Sequence, residues 1–139
     1  MEIEIKQISG EATWPLRHGI MNPDLSFDAI RLDNDAFGTH FGLYKNQDLT
    51  SIVSLFKTGN SYQLRKFATE ISAQGKGCGS ILLNHIIKYV RQAGGEKIWC
   101  NARVSATSFY SKFGFAQGNS RSTANGIDFV IMEYLYLSE

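Results

Sequence analysis

The sequence predicts an α+β (mixed α/β) protein in which helices flank one central, mostly antiparallel sheet. Short strand-like runs separated by polar or glycine-containing turns follow one another through residues 40–69, as in consecutive hairpin strands. A run with helical spacing follows at residues 82–93, and Asn125-Gly126 is the turn signal of a closing hairpin. The resulting order is strand, helix, several strands, helix, strand, helix and two strands, which is typical of an α+β layout.

The N-terminal segment contains one predicted strand and one predicted short helix. Ile3 and Ile5 alternate with polar residues, which indicates the strand. Thr13 is predicted to cap the helix, and Asn22-Pro23 is predicted to end it. The predicted apolar stripe of this helix is Trp14, Leu16 and Ile20. Residues 24–38 are irregular and polar.

The middle of the chain predicts three strands, the last of which has an irregular phase. A polar turn at residues 45–48 separates the runs 40–44 and 50–56, and the third run covers residues 62–69. In that third run Leu64 and Phe67 are three residues apart, so a strand of period two cannot hold both on one face. A β-bulge between them would restore the phase.

The remaining elements follow from glycine stops and turn residues. Gly94-Gly95 ends the helix of residues 82–93. Beyond it we expect a strand at 97–102, a helix capped by Ser105 and ended by Gly114, and hairpin strands at 115–122 and 127–137. The 139 residues are predicted to form a single domain, 1–139.

Composition and charge exclude several classes of function. The chain has 14 basic and 13 acidic residues, a net charge of +1, so no broad field attracts nucleic acid or a membrane surface. Its apolar runs are shorter than the roughly 20 residues of a membrane span, and its start does not resemble a signal peptide. Cys78 and Cys100 lack the spacing of a metal motif. We therefore expect a cytoplasmic protein with free thiols, without a metal, and with no nucleic-acid or membrane partner.

The loop at residues 74–80 predicts an anion site, because it joins a strand to a helix and is rich in glycine. Unpaired N–H groups at a helix start favour an anion, and glycine lets a phosphate approach the backbone. The loop does not match the P-loop of triphosphate-binding proteins, because Gly79 is followed by Ser80 where that motif requires a lysine. The dinucleotide fingerprint fails because its third glycine is replaced by Ser80 and Glu96 is misplaced for the ribose. Cys78 occupies a variable position of the loop, so we do not expect a nucleophile there.

Two motifs together resemble the GNAT superfamily of acyl-CoA-dependent N-acyltransferases. Gln74, Gly77 and Gly79 match its pyrophosphate signature Gln-x-x-Gly-x-Gly. Residues 106–115, Ala-Thr-Ser-Phe-Tyr-Ser-Lys-Phe-Gly-Phe, are similar to its late helix, Ala-x-x-Phe-Tyr followed by Lys-x-Gly-Phe. The specific match covers roughly residues 62–115, and the order of elements extends it over most of the chain.

The resemblance implies a fold, an activity and a set of site residues. The sheet would be splayed between its fourth and fifth strands, and acetyl-CoA would donate an acetyl group to a small-molecule or peptide amine, without a metal. Tyr110 matches the usual general acid to the leaving thiolate, and Glu70 is the nearest carboxylate by sequence for the general base. The expected cofactor-binding residues are Phe67, Ala68 and Thr69 for the pantetheine arm, Gln74, Gly75, Lys76, Gly77, Cys78, Gly79 and Ser80 for the pyrophosphate, and Asn101, Arg103 and Lys112. Arg103 stands where the family often has asparagine.

Several alternatives stay open at the level of sequence. Tyr110 also fits a buried apolar stripe, where it would be a core tyrosine. A non-catalytic acyl-CoA-binding or sensor domain is the second function. Asp33, Asp35 and His40, or a chain of water molecules, are alternatives to Glu70 as the general base. An acidic wall built from Asp33, Asp35 or Glu70 would favour a cationic acceptor. A homodimer through the C-terminal sheet edge fits the sequence but is not required by it.

Overall fold

The computed structural model describes residues 2–21, 23–24, 30 and 32–136. Its strands are β1 (Ile3–Ile8), β2 (Thr39–Lys45), β3 (Asp48–Thr58), β4 (Ser61–Thr69), β5 (Lys97–Arg103), β6 (Ala116–Ala124) and β7 (Ile127–Leu135). Its α-helices are α1 (Gly10–Leu16), α2 (Cys78–Gln92) and α3 (Thr107–Ser111), with a π-helical turn at Arg17–Met21. Short 3-10 turns lie at Asp35–Phe37, Ile71–Ala73 and Val104–Ala106.

The described strands form a seven-stranded sheet in the order β1-β2-β3-β4-β5-β7-β6. The β1–β2, β2–β3, β5–β7 and β6–β7 pairs are antiparallel, whereas β4 and β5 are parallel. The α+β class and the mostly antiparallel sheet are therefore confirmed. Contacts divide the chain into two compact units, Met1–Phe56 with Arg65–Ile86 and Lys57–Leu64 with Ile87–Glu139. The prediction of a single domain stays a prediction.

The first unit is built on the β1–β2–β3 meander. Its turn between β2 and β3 places Asn46 and Gln47 at φ of 51° and 75°, the left-handed conformation that a two-residue hairpin needs. Apolar side chains from β2, β3 and α2 are fully buried here: Leu43, Ile52, Val53, Leu55, Leu82, Leu83 and Ile86. This burial is the main stabilising term for the unit.

The second unit contains β5, β6, β7, α3 and the last turns of α2. Ile98, Val90, Val130 and Met132 are fully buried within it. Asn125 and Gly126 form the predicted turn between β6 and β7, with φ of 53° and 76°. Gly94, at φ 81°, ends α2 as expected.

The two predicted helix caps are wrong. Ser9, not Thr13, caps α1, because its side chain accepts a hydrogen bond from the N–H of Ala12. Thr13 lies inside the helix and donates to the carbonyl of Gly10 at 2.6 Å. Ser105 lies within a 3-10 turn that precedes α3 and is not a cap.

The apolar stripe predicted for the first helix is not the face that the helix buries. Trp14, Leu16 and Ile20 are only half-buried, whereas Thr13 and Arg17, four residues apart, are fully buried. The predicted end at Asn22 lies outside the described residues, and the helical turns run to Met21.

Candidate functional site

The parallel ladder between β4 and β5 covers only the start of β4. The parallel ladder pairs Ser61 with Lys97 and stops at Gln63 and Trp99, although β4 continues to Thr69. Lys66 has φ 54°, a left-handed conformation within a strand, which is the signature of a bulge. The predicted bulge between Leu64 and Phe67 is therefore present, and the splay between the fourth and fifth strands is confirmed.

The loop from Gln74 to Ser80 presents a row of backbone donors. Gly75 and Gly77 have φ of 76° and 88°, which side-chain-bearing residues rarely adopt, and a Cβ on either would meet nothing within 4 Å. In the described part of the chain the N–H groups of residues 75–80 donate no hydrogen bond. Because α2 begins at Cys78, these donors lie at the positive end of a long helix. The loop can hold a phosphate or pyrophosphate.

Side chains tie the end of β4 to this loop. The amide of Gln74 donates to the carbonyl of Thr69 at 3.0 Å, and the hydroxyl of Ser51 donates to the carbonyl of Ala68 at 3.0 Å. The side chains of Phe67 and Thr69 approach within 3.5 and 3.7 Å of the position of a Cβ on Gly79. A Cβ at residue 79 would therefore make ordinary van der Waals contacts with these two side chains.

The other loop side chains differ in exposure. Lys76 is exposed and Ser80 is half-buried. Cys78 is buried, with 2 % of its surface exposed, which agrees with a packing role and not with a nucleophile.

Tyr110 is a buried phenol in the second unit. It lies on α3 with 8 % of its surface exposed, and its ring contacts those of Phe109 and Phe115. Burial raises its pKa strongly, and the neighbouring Cys100 side chain adds to the rise. Burial likewise raises the pKa of the Cys100 thiol to about 12. At neutral pH both groups are protonated, so Tyr110 can act as a donor and not as a base.

The three remaining predicted cofactor residues lie on the same unit as Tyr110. Asn101 and Arg103 are exposed on β5, opposite Ile131 and Phe129 of β7. Lys112 is exposed at the C-cap of α3.

Glu70 follows β4 directly and caps a 3-10 turn. Its side chain accepts hydrogen bonds from the N–H of Ser72, at 3.1 Å, and from the Ser72 hydroxyl. The N–H of Glu70 donates to the carbonyl of Thr50 at 2.8 Å. These contacts fix the carboxylate at the strand end but assign it no chemistry.

Asp35 forms a buried ion pair with Arg17, which the sequence did not reveal. Arg17 Nη1 and Nη2 donate to the two carboxylate oxygens at 2.8 and 2.9 Å, and Nη2 also donates to Ser54 Oγ at 3.0 Å. Burial alone would raise the pKa of Asp35, but hydrogen bonds from Arg17, the N–H of Leu32 and Trp14 hold it below its usual value. Because Arg17 neutralises it, Asp35 does not supply the free negative charge that the acidic-wall prediction required.

A cavity of about 710 Å³ lies beside this ion pair in the first unit. Asp33, Asp35, His40, Trp14 and Glu11 are among the residues that line it. His40 is buried, with Nδ1 2.7 Å from Ser54 Oγ and Nε2 2.8 Å from the carbonyl oxygen of Asp35. The Asp35 carboxylate and both ring nitrogens of His40 thus already have partners within the protein.

No group of three His, Cys, Asp or Glu side chains in the described ranges comes together as a set of metal ligands. In the same ranges no helix is long and apolar enough to cross a membrane.

The comparisons with known proteins decide the family. The model of the acetyltransferase (GNAT) domain matches residues 19–136. The chain belongs to the GNAT acetyltransferase family. It is therefore an acyltransferase, and the resemblance of the two motifs is confirmed.

Relatives agree with this assignment over most of the chain. The chain is 32% identical over 124 residues to the uncharacterized N-acetyltransferase YitI of Bacillus subtilis strain 168, covering 83% of each chain. Among solved structures, the ribosomal-protein-S18-alanine N-acetyltransferase of Escherichia coli superposes with a TM-score of 0.81 at 18% identity, over 99% of this chain and 97% of that one. The PaiA N-acetyltransferase of Thermoplasma acidophilum, in complex with coenzyme A, superposes with a TM-score of 0.71 at 20% identity, over 98% of this chain and 100% of that one. At these identities the structures show a shared GNAT fold.

Proposed function

We propose that this GNAT acetyltransferase moves an acetyl group from acetyl-CoA to a primary amine by direct attack of the amine. One observation carries the proposal: the backbone N–H groups of residues 75–80, at the start of α2, have no acceptor in the described chain. The solved PaiA structure, which contains coenzyme A, supports coenzyme A as the ligand of this fold.

Acetyl-CoA supplies the thioester that the amine attacks, and this chain supplies the residues that hold it. The N–H groups of residues 75–80 would bind the pyrophosphate, and Lys76 would add a charge-assisted contact. The backbone of Phe67, Ala68 and Thr69 would bind the extended pantetheine arm, since this part of β4 has no ladder with β5. Asn101, Arg103 and Lys112 remain proposed cofactor contacts. The residues present therefore fit the group.

Tyr110 is the proposed general acid to the leaving thiolate. Its raised pKa keeps the phenol protonated, so its hydroxyl keeps a proton to donate. Glu70 is the proposed general base for the attacking amine, and its place at the end of β4 supports it. Both assignments are carried by position and chemistry, and each needs a kinetic test.

A second function, a non-catalytic acyl-CoA-binding domain on the same fold, has one observation in its favour. Tyr110 is buried, and its ring packs against Phe109 and Phe115, as that of a purely structural tyrosine would. In that case the donor loop would bind coenzyme A without turnover.

Two measurements separate the functions. The first follows the melting temperature with acetyl-CoA, with ATP and an adenine dinucleotide as controls, and ligand at 100 times its Kd should stabilise by about 2.7 kcal/mol. The second follows thiol release from acetyl-CoA across a panel of amines. Stabilisation with no thiol release from any amine would leave only the binding function, whereas no stabilisation at millimolar acetyl-CoA would remove both functions.

The role of Tyr110 is tested with a matched phenol. Tyr110→Phe should lower kcat about 100-fold or more while the Kd of acetyl-CoA stays within about twofold. Tyr136→Phe is the control, because that hydroxyl also has a raised pKa and donates to the carbonyl of Ile87 at 2.6 Å. Equal, small effects of the two substitutions on kcat would assign Tyr110 to the core and not to the chemistry.

A further inference from the structure

Two adjacent cations lie at the bulge of β4 without a counter-ion among the described residues. Arg65 and Lys66 are both half-buried, and neither forms a hydrogen bond or an ion pair with the described residues. Among the other described cations of the first unit, Arg17 bonds Asp35, Lys76 is exposed, and Lys45 is half-buried at the end of β2. A half-buried charge without a partner is costly, so this pair is suited to an anion from outside the protein.

The groups that face Lys66 leave the region positive. Burial is the first cause that lowers the pKa of Lys66, followed by the charges of Arg65 and Arg17, and Asp35 acts in the opposite direction. Because Asp35 is held by both terminal nitrogens of Arg17, that pair is close to neutral. The excess charge near the bulge is therefore that of Arg65 and Lys66.

The position of the bulge relative to the donor loop follows from the direction of β4. A pyrophosphate on residues 75–80 and an arm that runs back along Thr69 and Phe67 would bring the thioester toward Lys66. The three strand residues from Thr69 back to Lys66 span about 10 Å. The two cations would then flank the carbon that the amine attacks, and not the phosphates at the other end of the arm.

The geometry points to an anion-binding subsite, formed by Arg65 and Lys66, that holds a carboxylate or phosphate of the amine acceptor beside the thioester. This inference rests on the proposed function. In the transfer, the amine nitrogen forms a bond to the acetyl carbonyl carbon, the carbon–sulfur bond breaks, and the sulfur leaves with the electron pair. The nitrogen loses one proton and the sulfur gains one, so coenzyme A departs as the thiol.

The subsite determines the class of acceptor. An acceptor with an anionic group near its amine gains charge-assisted hydrogen bonds from Arg65 and Lys66. A polyamine meets two like charges, which oppose its binding. The same positive charges favour the neutral form of the bound amine, which is the form that attacks. The acceptor class is thus opposite to the one that an acidic wall would select.

The test compares acceptors in matched pairs by thiol release from acetyl-CoA. The pairs are glycine with glycinamide for the carboxylate and phosphoethanolamine with ethanolamine for the phosphate, with spermidine as the cationic acceptor. The wild-type chain should prefer the anionic member of at least one pair. Lys66→Gln should lower the ratio of kcat/KM between the anionic and neutral members about 10- to 100-fold. Lys66→Arg should keep the ratio within about threefold, and so should Lys88→Gln, which removes the same charge from the exposed face of α2.

Each other outcome overturns the inference. Spermidine as the preferred acceptor, or a ratio that Lys66→Gln leaves unchanged, would remove the subsite while acetyl transfer stands. If Lys66→Gln raises the KM of acetyl-CoA and leaves the KM of the amine unchanged, the two cations bind acetyl-CoA and not the acceptor. No turnover of any amine by the wild-type chain, despite stabilisation by acetyl-CoA, would remove this inference together with the proposed function.

Discussion

Replacing Arg17 by methionine should strongly destabilise the first unit, because it leaves a buried carboxylate without its partner. Arg17 is 0 % exposed and Asp35 is 8 % exposed, and two hydrogen bonds of 2.8 and 2.9 Å join them. Breaking a buried ion pair from one side costs about 3–5 kcal/mol. Trp14 Nε1 and the N–H of Leu32 still donate to Asp35, at 3.1 and 3.0 Å, so the lower part of that range is expected.

Thermal and chemical denaturation measure this loss. For a chain of this size, about 3–4 kcal/mol corresponds to a fall in melting temperature of about 10–15 °C. The control is Lys6→Met, because Lys6 and Glu4 form an ion pair of 3.5 Å whose side chains are 54 % and 58 % exposed. Exposed pairs contribute about 0–1 kcal/mol. Equal effects of Arg17→Met and Lys6→Met would refute the reasoning from burial.

The loss of stability in Arg17→Met should depend on pH in a defined direction. The folded-state pKa of Asp35 lies below its usual value, so its contribution is present above the unfolded-state pKa and is lost as the pH falls through the folded-state pKa. The difference in unfolding free energy between the wild type and Arg17→Met should therefore be largest near neutral pH and should shrink on acidification below about pH 4. A difference that grows on acidification would contradict the assigned ionisation state.

Two glycine substitutions test the donor loop and the core separately. Gly77→Ala should cost about 1–2 kcal/mol of backbone strain, because φ is 88°, and should weaken acetyl-CoA binding, because the N–H groups of the loop would change direction. The control is Gly59→Ala, at φ 60° and with equally open space. It should cost a similar amount of stability and leave the Kd of acetyl-CoA unchanged. Gly95→Ala would place a Cβ 2.4 Å from Val90 Cγ1 and 2.9 Å from the Tyr62 ring, so we expect about 1–3 kcal/mol of destabilisation, and an unchanged melting temperature would show that the ring moves freely.

Turn chemistry and strand phase were predictable because they are local. Asn125-Gly126 is one of the few pairs that adopt positive φ at both positions of a two-residue turn, so the last hairpin follows from sequence. The bulge was predictable because Leu64 and Phe67 fall out of phase. The loop at residues 74–80 was predictable as the connection between β4 and α2, because glycine readily adopts the positive φ found at Gly75 and Gly77.

Arg17 and the cap of α1 were not predictable, because tertiary contacts decided them. Ser9 and Thr13 are both good capping residues, and the burial of Thr13 against the sheet side of the helix favoured the earlier start. Arg17 lies between Leu16 and His18 at the end of α1, and its partner Asp35 lies 18 residues away in an irregular segment. No local pattern joins them, so a charged residue in the core appears only in three dimensions.

Lys66 links the strand geometry to the proposed acceptor subsite. A lysine at φ 54° carries strain of about 1–2 kcal/mol that a glycine would avoid, whereas glycine in a strand costs about 0.5–1 kcal/mol of entropy. The two terms nearly cancel, so Lys66→Gly should change the unfolding free energy by less than about 1 kcal/mol. Arg65→Gly lacks the relief of strain, because Arg65 does not have positive φ, and should destabilise the fold by about 0.5–1 kcal/mol. If stability were the only constraint, glycine would serve at this position as well as lysine. If a stable Lys66→Gly chain loses its preference for anionic acceptors, the lysine side chain binds the acceptor. If the chain keeps that preference, the backbone of the bulge is sufficient and the lysine is not needed for it.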